Sequence, residues 1–214
     1  KWYQHQKEKE FYIGLNAIQK KIVNDELKAF ELGGIGLPRN KRESFKLIKS
    51  NISKLSSQFE ENILDSINDF SLHTESKIEV EGVPKDVLNK AHKLAKENNK
   101  KGWLFTLDFP SYIPLMQYAK NRKLREDMYR AYATKASELS NKKLDNGPCI
   151  NEILLLKKKL ASLLSYENYA EMSLVTKMAN SSDEVVKFLN KLAKKAKPHA
   201  TKDMKDLNEI AKKF

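Results

Sequence analysis

The chain has little of several things, and each scarcity excludes something. Its 214 residues contain a single cysteine, Cys149. An internal disulfide and a cysteine-built zinc cage are therefore excluded, and a reducing compartment suits the chain. No apolar stretch approaches the ~18 residues that a membrane-crossing helix needs. The opening KWYQHQKEKE has no apolar core of a secretory leader. It also lacks an initiator Met, so the expectation is a piece of something longer. Arginine is scarce as well: five residues (39, 42, 122, 125 and 130) among 40 basic ones.

That scarcity bears on the net charge of +12. A nucleic-acid surface favours arginine for bidentate phosphate and guanine contacts. Lysine spread over solvated helix faces is the simpler account, and a basic nucleic-acid binder is the weakest of three functional readings. Hydrophobic residues at 40% and charged residues at 32% indicate a globular chain rather than a disordered one.

What is present reads mainly as helix. Asn16-x-x-Gln19 has the form of a capping box, and Ile18, Ile22 and Phe30 mark a stripe ending at Gly33-Gly34. Phe45, Ile48, Ile52, Leu55, Phe59, Ile63, Ile67 and Phe70 recur every three or four residues. This predicts one long helix from about Arg39 to Asp69. The period then changes to two. Leu72, Thr74, Ser76, Ile78 and Val80 predict a half-buried strand, whole or broken in the middle, and Trp103, Phe105, Leu107 and Phe109 a second. Between them Pro84 opens a helix with Val87, Leu88, Ala91, Leu94 and Ala95 inward.

Helices return after Pro110. One ends near Asn121. The next has Leu124, Met128, Ala131 and Tyr132 inward, and Arg122, Glu126 and Arg130 as surface ion-pairing positions. Another starts at Pro148 with Ile150, Ile153, Leu156, Leu160, Leu163 and Leu164. A further one covers 166–178. The last is capped by Ser181-Ser-Asp-Glu184, has Val185, Leu189, Leu192, Ala193 and Ala196 on its inner face, is bent or divided at Pro198, and runs to Phe214 without a stop. The predicted class is mainly α: multi-helical, with one long helix and a small two-stranded β insert. The predicted organisation is one helical region over 1–214, made of a long helix (39–70), a β-containing insert (71–109) and a helical remainder (110–214).

Candidate chemistry is sparse. A zinc-binding H-E-x-x-H helix needs two histidines four apart with a glutamate after the first. His5, His73, His92 and His199 supply neither feature. Cys149, beside a helix start, has a dipole that favours its thiolate but no histidine nearby in sequence. The GGIGLP loop lacks the lysine and spacing of a phosphate loop. Glu60-Glu61 falls on a solvated face, and Asp183-Glu184 at a helix start. Trp103, Phe105, Phe109 and Tyr112 alternate as core rather than as a base-stacking platform. Lys187, Lys191, Lys194, Lys195 and Lys197 read as the wet side of a helix whose other side is buried, not as a membrane anchor. No catalytic, metal-binding or substrate-binding residue is assigned.

Five segments resemble a known family: LNAIQKK (15–21), AFELGGIGLP (29–38), LSSQFEENILDSIND (55–69), GWLFTLDFPSYIPLMQYAKNRKLREDMYRAYATKAS (102–137) and NEILLLKKKLASLLSYENYAEMSLVTKMA (151–179). The family is the thimet oligopeptidase-like zinc metallopeptidases, and the resemblance covers about residues 15 to 214. It implies a mostly helical, two-lobed cytoplasmic enzyme that hydrolyses short peptides within a deep channel. This chain would be part of the upper helical lobe, partnered by the remaining catalytic lobe, with no nucleic acid and no membrane. It implies zinc in the parent enzyme, held by two histidines of H-E-x-x-H and a downstream glutamate. That motif is absent here, so this chain is expected to bind no zinc and to be inactive alone. A stand-alone helical peptide- or protein-binding module is the alternative.

Overall fold

The computed structural model describes residues 12–213. His5 and Phe214 lie outside the described residues. Eight helices of six residues or more run α1 (Ala17–Leu32), α2 (Arg39–Asn68), α3 (Lys85–Glu97), α4 (Phe109–Tyr118), α5 (Arg122–Thr134), α6 (Gly147–Leu163), α7 (Tyr169–Leu174) and α8 (Ser182–Ala211). Strands β1 (Leu72–Thr74) and β2 (Trp103–Phe105) pair antiparallel, with His73 opposite Leu104. The class is mainly α with a small two-stranded sheet. The described residues fall into two compact units, one of residues 12–49 with 157–213 and one of residues 50–156.

The second unit holds the main core. Val80, Val83, Val87, Ala91, Phe105, Leu107, Tyr112, Leu115, Leu124 and Met128 are buried together. The helical period of α3 and α5 and the alternation of β2 put these side chains inward, as expected. The long helix α2 has the predicted bounds, and its apolar seam is half-buried. Both strands are shorter than expected. After Thr74 the chain leaves the sheet and turns through 77–82, so Ile78 points to solvent at 81% exposure while Val80 is buried. Thr74 causes part of this, because its hydroxyl bonds Glu79 and takes the Ser76 N–H, closing a turn where a strand would continue. The second strand stops at Phe105, and Phe109 opens α4 with 66% of its surface exposed, not in the core.

Two glycines fix the sheet's surroundings. Gly102 has φ +76°, and a Cβ there would lie 2.2 Å from the Thr74 carbonyl oxygen. Gly82 has φ +89°, with the Tyr118 carbonyl oxygen equally close. Only glycine tolerates both the dihedral and the approach.

A polar seam lies beside the apolar one on α2. Asn62 is buried, accepts from Gln58 and donates to Asn146 at 2.9 Å. Asn146, 3% exposed, donates to the Phe59 carbonyl at 3.0 Å. Ser66 accepts the Ala136 N–H at 3.0 Å. The loop between α5 and α6 is thus tied to α2 by polar side chains that helical period alone does not mark as buried.

In the first unit α1 has the predicted capping box, Asn16 with Gln19. Its stripe is not core: Ile18 and Ile22 are 73% and 57% exposed. The helix expected over 166–178 is the shorter α7, followed by turns. Ser181 caps α8 by accepting the Glu184 N–H, but Glu184 takes the Asn180 N–H, so only half the predicted box forms. Pro198 does not divide α8, which ends at Ala211 with Lys212 as its cap.

Candidate functional site

The described residues bring no catalytic constellation together. His73 donates from Nε2 to the Lys101 carbonyl at 2.6 Å, and His92 from Nδ1 to the Gly102 carbonyl at 2.8 Å. Both imidazoles therefore brace the turn before β2. His199 lies exposed on α8. Among the described residues no group of three or more His, Cys, Asp or Glu side chains can hold a metal ion. These residues do not fit a zinc ion, which needs at least three convergent protein ligands in a catalytic site.

The other candidates fall as follows. Cys149 is 8% exposed and its thiol donates to the Leu55 carbonyl at 3.1 Å, so it is packed against α2. The GGIGLP loop joins α1 to α2 as a turn. Gly34 has φ +79°, and Arg42 donates to the carbonyls of Leu37 and Ile35. Glu60 and Glu61 are exposed on α2, and Asp183 and Glu184 open α8. Of the aromatic set, Phe105 and Tyr112 are buried, Trp103 is half-buried and Phe109 is exposed. Tyr112 stacks on Tyr132 with ring centroids 4.0 Å apart, and Lys135 lies over the outer ring. Burial, then the neighbouring Tyr132 and Tyr129, hold the Tyr112 phenol above its ordinary pKa. Glu126 pairs with Arg130 at 3.3 Å.

Helix α8 departs most from expectation. Its apolar side was expected to be buried, yet no residue of α8 is. Phe188, Leu189, Leu192, Met204, Leu207 and Ile210 are all more than half exposed. Lys187, Lys191 and Lys194 lie across the helix from Leu189. One anchor holds its start. Glu171 of α7 accepts from both the N–H and the hydroxyl of Ser182, and these bonds pull its carboxyl below the ordinary glutamate value. No helix is long and apolar enough to cross a membrane among the described residues.

Comparison with known proteins supplies what the geometry lacks. The sequence is 42% identical over 212 residues to oligopeptidase A of Salmonella typhimurium, covering 98% of this chain. The chain is similar to oligopeptidase A. The Escherichia coli oligopeptidase A is 41% identical over 99% of the chain, and a probable cytosolic oligopeptidase A of Arabidopsis thaliana 40% over 92%. Residues 115–214 match the model of Peptidase family M3. The chain spans about a third of the length of these relatives: 31%, 32% and 29%. The similarity therefore runs through nearly all of this chain and through a minor part of each relative.

Proposed function

We propose that this chain is a non-catalytic helical region of a zinc metallopeptidase that hydrolyses short oligopeptides, from the upper lobe and N-terminal side of the whole enzyme. The observation that carries the reading is the 40–43% identity to oligopeptidases A over 91–99% of the chain. The open apolar face of α8 supports it. Seven side chains of that helix, Val186 with the six named above, expose more than half their surface. Each buried Leu, Phe or Met side chain is worth roughly 1.5–3 kcal/mol, so such a face favours further polypeptide. In this reading that polypeptide is the catalytic lobe, zinc is held outside these residues, and the compartment is the cytoplasm.

The test is direct. The complete reading frame is expected to contain H-E-x-x-H and its product to cleave a quenched short peptide in a chelator-sensitive way. The present chain alone is expected to cleave nothing. Chelator-sensitive cleavage by this chain would overturn the assignment. A stand-alone binding module would present the same α8 face, and a reading frame without the motif would favour it.

A further inference from the structure

We propose that the groove between α3 and the β2–α4 turn binds a short apolar peptide with both termini free, about a dipeptide in size. The groove has a volume of about 280 Å³, near the lower end of small-molecule sites at roughly 300–1,000 Å³. Its floor is carbon. Val87 and Ala91 are buried, Leu94 is half-buried, and the three succeed one another on α3 at steps of four and three. Leu104 of β2, 5% exposed, closes the floor.

The charges at the mouth are of both signs. Lys93 and Glu97 lie 3.9 Å apart and answer each other. Lys90, which also lines the groove, has no ion-pair partner among the described residues. Across from α3, Asp108 accepts from the Thr106 hydroxyl and meets no cation among the described residues. It stands at the N-cap of α4 without capping it, so its carboxylate keeps free lone pairs. An unpaired ammonium and a cation-free carboxylate thus border an apolar floor. That set complements a zwitterion with an apolar body. A hydrocarbon acid leaves Asp108 unmatched, and an amine leaves Lys90 unmatched. The choice of a peptide rests on the function proposed above, which makes short peptides the available zwitterions.

Calorimetric titration of the unmodified chain with Leu-Leu, its N-acetyl form, its C-terminal amide and decanoate tests the proposal. Leu-Leu is expected to bind saturably at one site. Each capped form should bind about fivefold more weakly, the loss of one solvent-exposed ion pair. Lys90→Glu should weaken Leu-Leu to a similar degree, and Leu94→Trp should abolish binding by filling the floor. No saturable binding at millimolar peptide overturns the proposal, as does decanoate binding as tightly as Leu-Leu. Equal affinity for free and capped peptides also overturns it, and this comparison needs no variant to fold. The readout uses no hydrolysis. An inactive longer protein would sink the peptidase reading while binding persisted, and absent binding with an active protein would sink only the groove.

Discussion

Removing the Asn146 side chain should cost far more than its position in a loop suggests. Asn146→Ala deletes the acceptor for Asn62 Nδ2 and the donor to the Phe59 carbonyl, bonds of 2.9 and 3.0 Å. Phe59 is inside α2, where its carbonyl is also within the helix ladder, so its loss is small. Asn62 is the expensive partner. At 7% exposure its amide cannot turn to water, and a buried donor left unpaired costs about 1–3 kcal/mol. Adding the vacated volume, about 2–3 kcal/mol is expected in total. For a chain of this size 1 kcal/mol corresponds to about 2–4 °C in Tm, so the midpoint should fall by roughly 5–10 °C. Urea unfolding followed by circular dichroism reads the same quantity, with an unchanged slope if the denatured state is unaffected. A double-mutant cycle sharpens the test. Asn62→Ala removes the orphan, so the double variant should be at least about 1 kcal/mol less destabilised than the two singles added. The reasoning is refuted if Asn146→Ala costs under about 0.5 kcal/mol, the range of an ordinary surface change such as Glu60→Ala. Strict additivity would refute it equally.

Four further outcomes are expected. Leu189→Ala and Leu192→Ala should each change the stability of this chain by less than about 0.5 kcal/mol, because both side chains are more than half exposed. Leu160→Ala, at a site 4% exposed, should cost about 2–5 kcal/mol, and a comparable loss at Leu189 would show that α8 is covered. Gly102→Ala should be among the most damaging single changes, because its Cβ meets the Thr74 oxygen at 2.2 Å and its φ is +76°; loss of near-ultraviolet dichroism from Trp103 reports it. Glu171 has a depressed folded pKa, so its bonds to Ser182 stabilise above the ordinary glutamate value of about 4.3 and fade as pH falls through the lower folded value. The Tm difference between the protein and Glu171→Gln should therefore shrink on acidification below that point, and a difference that grows would contradict the assignment. Cys149 should react with Ellman's reagent only on unfolding, since its thiol is packed against Leu55; fast labelling of folded protein would refute its burial.

The parts of the fold legible in the sequence are those governed by local periodicity. The bounds of α2, the inward set of α3 and the Asn16 cap follow from spacing and from a side chain that bonds its own backbone. Three features were not legible, for different physical reasons. The strand at 72–80 ended early because Thr74 folds the chain back through its own hydroxyl, a competition that alternation does not register. The Asn62–Asn146 link joins residues 84 apart, and nothing in an α2 face of Asn, Ser and Gln distinguishes a hydrogen-bonded buried seam from a wet one. The groove beside α3 needs the β2–α4 turn to close it, so neither element alone contains it. Helix α8 is the reverse case. Its period marks an amphipathic helix, yet its apolar side is not covered within this chain. Periodicity encodes which side a helix will bury, and leaves open against what. Where a sequence spans a third of its relatives' length, that second question is the one that carries function. The open side of α8 therefore bears more directly on the proposed placement of this chain than any single residue on it.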